Sequence, residues 1–416
     1  MRVIAASDTE QLGPIFTAGW NPPAHVVTAV REIIDAVRAR GDAAVVEYAK
    51  RFDDESFDLS KVRVPLPMRD AARALVSPEV AQALERARER IERFHERQRL
   101  ADFAYAEEDG TRYGVYRRPL ESIAAYVAGT ASPAAASLLM CIVPAKIAGV
   151  GRIVVLTPTR RNGHVHPAIL YACSVCEVDE LYAVGGAQAI AAAAFGTESI
   201  ARVEKIVGTG GVWVSEAKRQ VFGYCGIDML AGPSELLVVA DDGANSEYVA
   251  GELLAQAEQQ GASRLAVVSE SRPLLEAIAQ LLDTLGASAL EGYLIHAASR
   301  DEIFDTIERI APAYLCLQVR DAPSYLPRIR RAGAIFVGDL TPLVCGYYLA
   351  GTNHVVPTSG TARWASGLRL EDFTRTFSVV ENSSDRTMND APCVSTLAEL
   401  EGLPAHAQSA RMRYGA

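Results

Sequence analysis

The chain has 416 residues, 49% hydrophobic and 22% charged, an ordinary globular composition with length enough for more than one domain. Its net charge of −10 argues against a general nucleic-acid or anionic-membrane binder. No apolar run is long enough to span a bilayer and residues 1–17 do not read as a signal peptide, so the expectation is a cytoplasmic protein.

Residues 1–23 show no strong periodicity and end in Asn21-Pro22-Pro23, a break before the first helix. Val26, Val30, Ile33, Ile34 and Val37 line one face of that helix, and Gly41 stops it. A second helix covers 42–52. After a loop, Ser77-Pro78 opens a third helix, with Val80, Leu84, Ala87, Ile91 and Phe94 as the expected buried stripe. Its other face alternates Glu and Arg, the pattern of a solvated, salt-bridged surface.

From residue 118 strand and helix alternate. Strands are expected over 123–127, 153–156 and 181–184, the first ending in Ala128-Gly129-Thr130 and the third in Gly185-Gly186 before the helix AQAIAAAAF. Residues 206–207 run into Gly208-Thr209-Gly210-Gly211. Repeated strand–glycine–helix units are the pattern of a parallel, Rossmann-like sheet with ligands at the carboxyl ends of its strands. Glycine there lets backbone amides approach a phosphate, as does a helix start. No turn carries a full G-x-G-x-x-G, and compact glycine turns also occur without any ligand. The seven cysteines are scattered, and their odd number fits a reducing compartment. Cys173 and Cys176 form a C-x-x-C inside the apolar segment AILYACSVCEV and read as small buried hydrophobes.

The stretch AGPSELLVVADDGANSEYVAGELLAQAEQQ, residues 231–260, reads as a buried strand over 236–239, a polar loop, and a helix capped by Ser246. Gln256 and Gln259 sit three apart, so both amides are expected on one face, where they could hold one ligand or metal; on spacing alone two solvated amides are the favoured reading. Strands over 265–268, 314–319 and 333–337 continue the alternation. A long irregular segment follows, GTNHVVPTSGTARWASG over 351–367, of the kind that usually carries function. The polar tail forms a short helix around 395–401 and ends in EGLPAHAQSARMR.

These segments taken together resemble the histidinol dehydrogenase family over nearly the whole chain. The resemblance rests on VREIIDAVRARGDAAVVEYAKRFD, PAKIAGV, VGGAQAIAAAAFGTESI, EAKRQV, AGPSELLVVAD, GTNHVVPTSGTARWASGL and EGLPAHA in that order. It implies an α/β fold of two interleaved Rossmann-like parallel-sheet domains, with an N-terminal arm at 1–24. The first domain is then discontinuous, 25–125 and 235–378, and the nucleotide-side domain spans 126–234. The tail, 379–416, reaches the partner subunit of a homodimer with shared active sites. It also implies oxidation of an amino alcohol through the aldehyde to the acid, with two NAD and a zinc that holds the substrate.

Carried over residue by residue, Tyr126 and Gln188 match nucleotide-contact positions, beside Gly129. Gly211 replaces the family's asparagine. Ser234, Glu401 and His406 match substrate positions. Of the zinc ligands, Gln256 and His406 are kept, while Gln259 stands for a His and Tyr347 for an Asp. The family's proton-handling Glu-His pair is Ala313 and Tyr314 here.

Zinc prefers imidazole, thiolate and carboxylate, so the altered set leads to the expectation that zinc is not used. A cluster of His164, His166 and His354 is the alternative metal reading. The expected function is a zinc-independent, NAD-linked oxidoreductase acting on a small polar alcohol or aldehyde other than histidinol. Ser234, Gln256, Gln259, Glu401 and His406 would hold that substrate, and His406, Tyr314 and Tyr347, in that order, are the candidate bases. Alternatives are a non-redox enzyme reusing the cleft and a catalytically silent ligand-binding homologue; histidinol oxidation itself ranks last.

Overall fold

The computed structural model describes residues 1–17, 19–129, 132–159, 163–259 and 264–413. The chain divides into two units, one of residues 1–98 and 120–373 and one of residues 99–119 and 374–416.

The first unit is built on two parallel sheets. The six-stranded sheet runs in the order Val3–Ala5, Tyr293–His296, Arg264–Ser269, Glu235–Ala240, Tyr314–Gln318 and Ala334–Val337. The five-stranded sheet runs Glu180–Tyr182, Arg152–Leu156, Ser122–Tyr126, Lys205–Val207 and Gly226–Ile227. Continuous runs such as RIVVL and ELLVVA are what a parallel strand buried on both faces requires. The two faces separate at a period of two. Ile123, Ala125, Ile153 and Val155 pack with Leu138, Ile142 and Ile169, whereas Ala124, Tyr126, Val154 and Leu156 pack with Val30, Ile34 and Ile190.

This packing departs from the expected domain boundaries. The helices Ala24–Arg40 and Asp42–Phe52 lie on the five-stranded sheet, not with residues 235–378. The start of the expected N-terminal arm is the edge strand Val3–Ala5 of the other sheet. Two smaller corrections concern the helices. In helix Pro78–Glu96, capped by Ser77, Ala81 and His95 are buried and Val80 and Phe94 exposed, one position round from the expected stripe. Helix Ser246–Ala257 is capped by Asn245, whose side chain accepts from the Glu247 N–H at 2.8 Å, and not by Ser246.

The second unit holds an antiparallel sheet, Thr374–Glu381 beside Arg112–Pro119 beside Phe103–Ala106. Helices Ser384–Leu400 and Pro404–Arg411 follow, so the tail is far more helical than its polarity suggests. Among the described residues no helix is long and apolar enough to cross a membrane.

Candidate active site

Two of the expected nucleotide-contact positions, Tyr126 and Gln188, gather where helix Gly186–Phe195 begins. Tyr126 ends its strand and is buried, which pushes its phenol up to about 12. Its hydroxyl accepts the Gly186 N–H at 3.2 Å. Gln188, also buried, donates from Nε2 to Asp53 Oδ2 at 3.1 Å. Burial raises the Asp53 carboxyl to about 6, against hydrogen bonds from the Gly185 N–H and Gln188 that pull it down. Desolvation is the larger effect.

The glycines divide into two kinds. A Cβ on Gly129 would sit 2.6 Å from Thr157 Oγ1, so this position is closed to side chains by packing. Gly211, the residue before helix Val212–Val221, has nothing within 4 Å of such a Cβ and faces open space. Tyr126 and Gln188 are candidates from the sequence; Asp53, bonded to Gln188, is not, its only signal being its place just after a helix, in a loop.

On the substrate side the residues are bonded to one another. Gln256 is fully buried; its Nε2 donates to Ser234 Oγ at 3.1 Å and its Oε1 accepts from the Tyr347 hydroxyl at 2.8 Å. Gln259 does not share this face. The helix ends at Ala257, and Gln259 lies beyond it, exposed. Tyr314 donates to the His354 carbonyl at 2.9 Å, and its ring centroid is 5.3 Å from that of Tyr347.

Burial pushes the Tyr347 phenol up to about 12 and the Tyr314 phenol well above its ordinary value. Both are therefore neutral donors at physiological pH, which removes them as bases. His354 is a different case. Burial lowers its pKa, its Nδ1 lies 2.8 Å from the Tyr347 carbonyl, and its Nε2 lies 2.9 Å from Ser137 Oγ. A carbonyl only accepts, so Nδ1 carries the proton and Nε2 is left as the acceptor.

The segment 351–367 brings His354 into place by stitching surrounding elements together. Asn353 donates to the Met140 carbonyl at 2.7 Å, and Thr358 Oγ1 accepts the Gly232 N–H at 2.7 Å. Ser137, on helix Ala135–Ala148, was not singled out in the sequence, because nothing in SPAAASLLM separates it from a packing serine.

Glu401 and His406 belong to the second unit and are exposed. His406 lines a cleft of about 380 Å³ with Asn382, Asp390, Val394, Ser409 and Arg413. Among the described residues no group of three or more His, Cys, Asp or Glu could hold a metal. His166 instead caps helix Pro167–Val175, its Nδ1 accepting from the Ala168 N–H at 3.1 Å. Cys173 and Cys176 are buried and free, as hydrophobes would be.

The sequence matches the histidinol dehydrogenase family model over residues 21–414. The chain belongs to the histidinol dehydrogenase family. It is 39% identical to histidinol dehydrogenase of Listeria monocytogenes serotype 4b, over 100% of this chain and 99% of that protein. It is 41% identical to that of Pseudomonas aeruginosa, over 92% and 90%. The crystal structure of histidinol dehydrogenase from Elizabethkingia anophelis superposes with a TM-score of 0.92 at 31% identity, covering 99% of this chain and 98% of that one.

These matches overturn two expectations. A substrate other than histidinol and a centre without zinc were both inferred from a few altered positions. Relatives near 40% identity over 92–100% of this chain are histidinol dehydrogenases, the family whose resemblance implies zinc and NAD. The donor chemistry in the structure is a separate observation. Gln256 is a neutral amide whose two polar atoms are already hydrogen-bonded to Ser234 and Tyr347, so these side chains as arranged do not offer zinc the imidazole, thiolate or carboxylate it prefers. No chemical step is derived through the metal.

Proposed function

We propose that this chain oxidises histidinol, with a nicotinamide dinucleotide taking the hydride. The observation that carries the reading is the end-to-end match to histidinol dehydrogenases. Tyr126 and Gln188 bind the nucleotide where helix Gly186–Phe195 starts, and the Ser234–Gln256–Tyr347 group orients the polar substrate. As hydride leaves the carbinol carbon, the hydroxyl proton needs an acceptor. Ser137 hands that proton to Nε2 of neutral His354, while Tyr347 and Tyr314 hold the ring and its carbonyl in place. The chain acts as a homodimer, the second unit of each subunit supplying Glu401 and His406 to the partner's site.

The test is formation of reduced nicotinamide from histidinol by the purified protein. His354→Gln and Ser137→Ala should each lower kcat about 10²-fold or more with nucleotide KM little changed, the usual effect of losing a proton acceptor. Tyr347→Phe should leave the pH dependence of kcat in place, since that phenol stays neutral. No reduction of NAD with histidinol would end the reading. Full activity in both variants would remove the Ser137–His354 step alone.

A further inference from the structure

Helix Gly186–Phe195 begins with an acid in the place where an anion is ordinarily welcome. The start of a helix presents unpaired N–H groups and favours negative charge, which is why phosphates settle there. Here Asp53 has taken that position, receiving the Gly185 N–H and the Gln188 amide, the latter at 3.1 Å. Its charge also reaches the Tyr126 phenol, whose hydroxyl is bonded to the next N–H, that of Gly186. Gly186 has φ +69°, and a Cβ there would lie 2.6 Å from Gln188 Oε1, so the amide folds back over the turn beside the carboxylate. The neighbouring Asp54 is turned aside, its Oδ1 accepting from the Ser56 hydroxyl at 2.7 Å and the Ser56 N–H at 2.9 Å.

Resting on the nucleotide reading given above, we propose that Asp53 is a specificity-determining residue that admits a dinucleotide with free ribose hydroxyls and rejects one carrying a ribose phosphate. Asp53 is partly exposed, so the carboxylate keeps acceptor capacity beyond its two protein donors. An ionised carboxyl accepts and cannot donate. A ribose hydroxyl donates to it; a phosphate meets like charge in a partly desolvated site. Tyr126, Gln188 and the glycine turn bind what both dinucleotides share, and Asp53 discriminates between them.

The experiment is calorimetric titration of NAD and of NADP into the full-length protein, the Asp53→Asn variant and an Asp54→Asn control. The parent should bind NAD at least about tenfold tighter than NADP, the scale of one hydrogen bond to a charged group. Asp53→Asn should weaken NAD and shrink the ratio about tenfold; Asp54→Asn should leave the ratio within about threefold, since its carboxylate is turned to Ser56. Neither dinucleotide binding to the parent would overturn the nucleotide reading itself. NAD binding with an unchanged ratio in Asp53→Asn, or a parent that prefers NADP, would overturn the role of Asp53 alone. If Asp53→Asn does not fold, Asp53→Glu carries the test. It keeps the charge and should still exclude NADP, and equal binding of the two would overturn the proposal.

Discussion

Lys218 and Asp228 form a buried ion pair that grips both backbone atoms of Gly208. Lys218 Nζ donates to the Gly208 carbonyl at 2.7 Å and to Asp228 Oδ1, and Asp228 Oδ2 accepts the Gly208 N–H at 2.7 Å. Their side chains are 1% and 0% exposed. Gly208 sits at φ +100°, with its missing Cβ pointing 2.4 Å from the Tyr126 carbonyl. The pair thus fixes the turn that lies against Tyr126, and links helix Val212–Val221 to the end of strand Ser122–Tyr126.

Breaking this pair on one side leaves a buried charge. Lys218→Met should lower unfolding free energy by about 3–5 kcal/mol, the usual cost of an orphaned buried ion, as measured by denaturant unfolding. Replacing both, Lys218→Met with Asp228→Leu, should recover part of that loss. Nucleotide KM should rise in the double variant nonetheless, because Gly208 then has no clamp. A double variant with unaltered nucleotide KM would show that the turn holds itself.

Two glycines three residues apart should respond in opposite ways. Gly208→Ala forces a Cβ into the Tyr126 carbonyl at a left-handed backbone, and should cost stability by more than about 1 kcal/mol. Gly211→Asn enters open space at a position with φ −64° and ψ 179°, ordinary geometry for a residue preceding a helix. It should be neutral or stabilising by a few tenths of a kcal/mol, since asparagine is a good helix cap. Thermal melting of the pair decides it, and similar losses at both sites would contradict the assignment of space around Gly211.

Parallel strands such as Arg152–Leu156 and Glu235–Ala240 were readable because burial on both faces leaves continuous apolar runs, RIVVL and ELLVVA, while the short Val3–Ala5 and Tyr293–His296 went unmarked. The strand Phe103–Ala106 was not readable, because all four residues are exposed and no alternation marks them. Tyr126, Gln188, Ser234 and Gln256 could be singled out as candidates because several motifs fix their order, and the structure bonds Gln256 to Ser234. Their chemistry was not legible. Whether Tyr314 is a base or a donor depends on burial and on the His354 carbonyl 40 positions away, which no local pattern encodes. The inference of a new substrate failed for a related reason: it weighed four altered positions above a scaffold shared along the whole chain.

The last prediction concerns pH. Glu235 is fully buried at the start of its strand, and Arg264 Nη1 faces its Oε1 at 3.3 Å. Burial outweighs that attraction and the backbone hydrogen bonds, and raises the carboxyl from 4.5 to about 7. Between those values the folded chain holds a proton that the unfolded chain has released. The contribution to stability is therefore complete below about pH 4.5 and is lost as pH rises through about 7. Glu252, raised by burial, acts with the same sign, while His95 and His354, lowered by burial, lose stability as pH falls below 6.5. Comparing the parent with Glu235→Gln isolates the one group. Glutamine does not ionise, so the variant should gain on the parent as pH rises from about 4.5 to about 8, by on the order of 3 kcal/mol. Thermal melts of both proteins across that range give the difference directly. A gap that stays constant, or that moves toward the parent at high pH, would mean that Glu235 is held ionised by Arg264 and that the ion pair, not burial, controls this end of the strand.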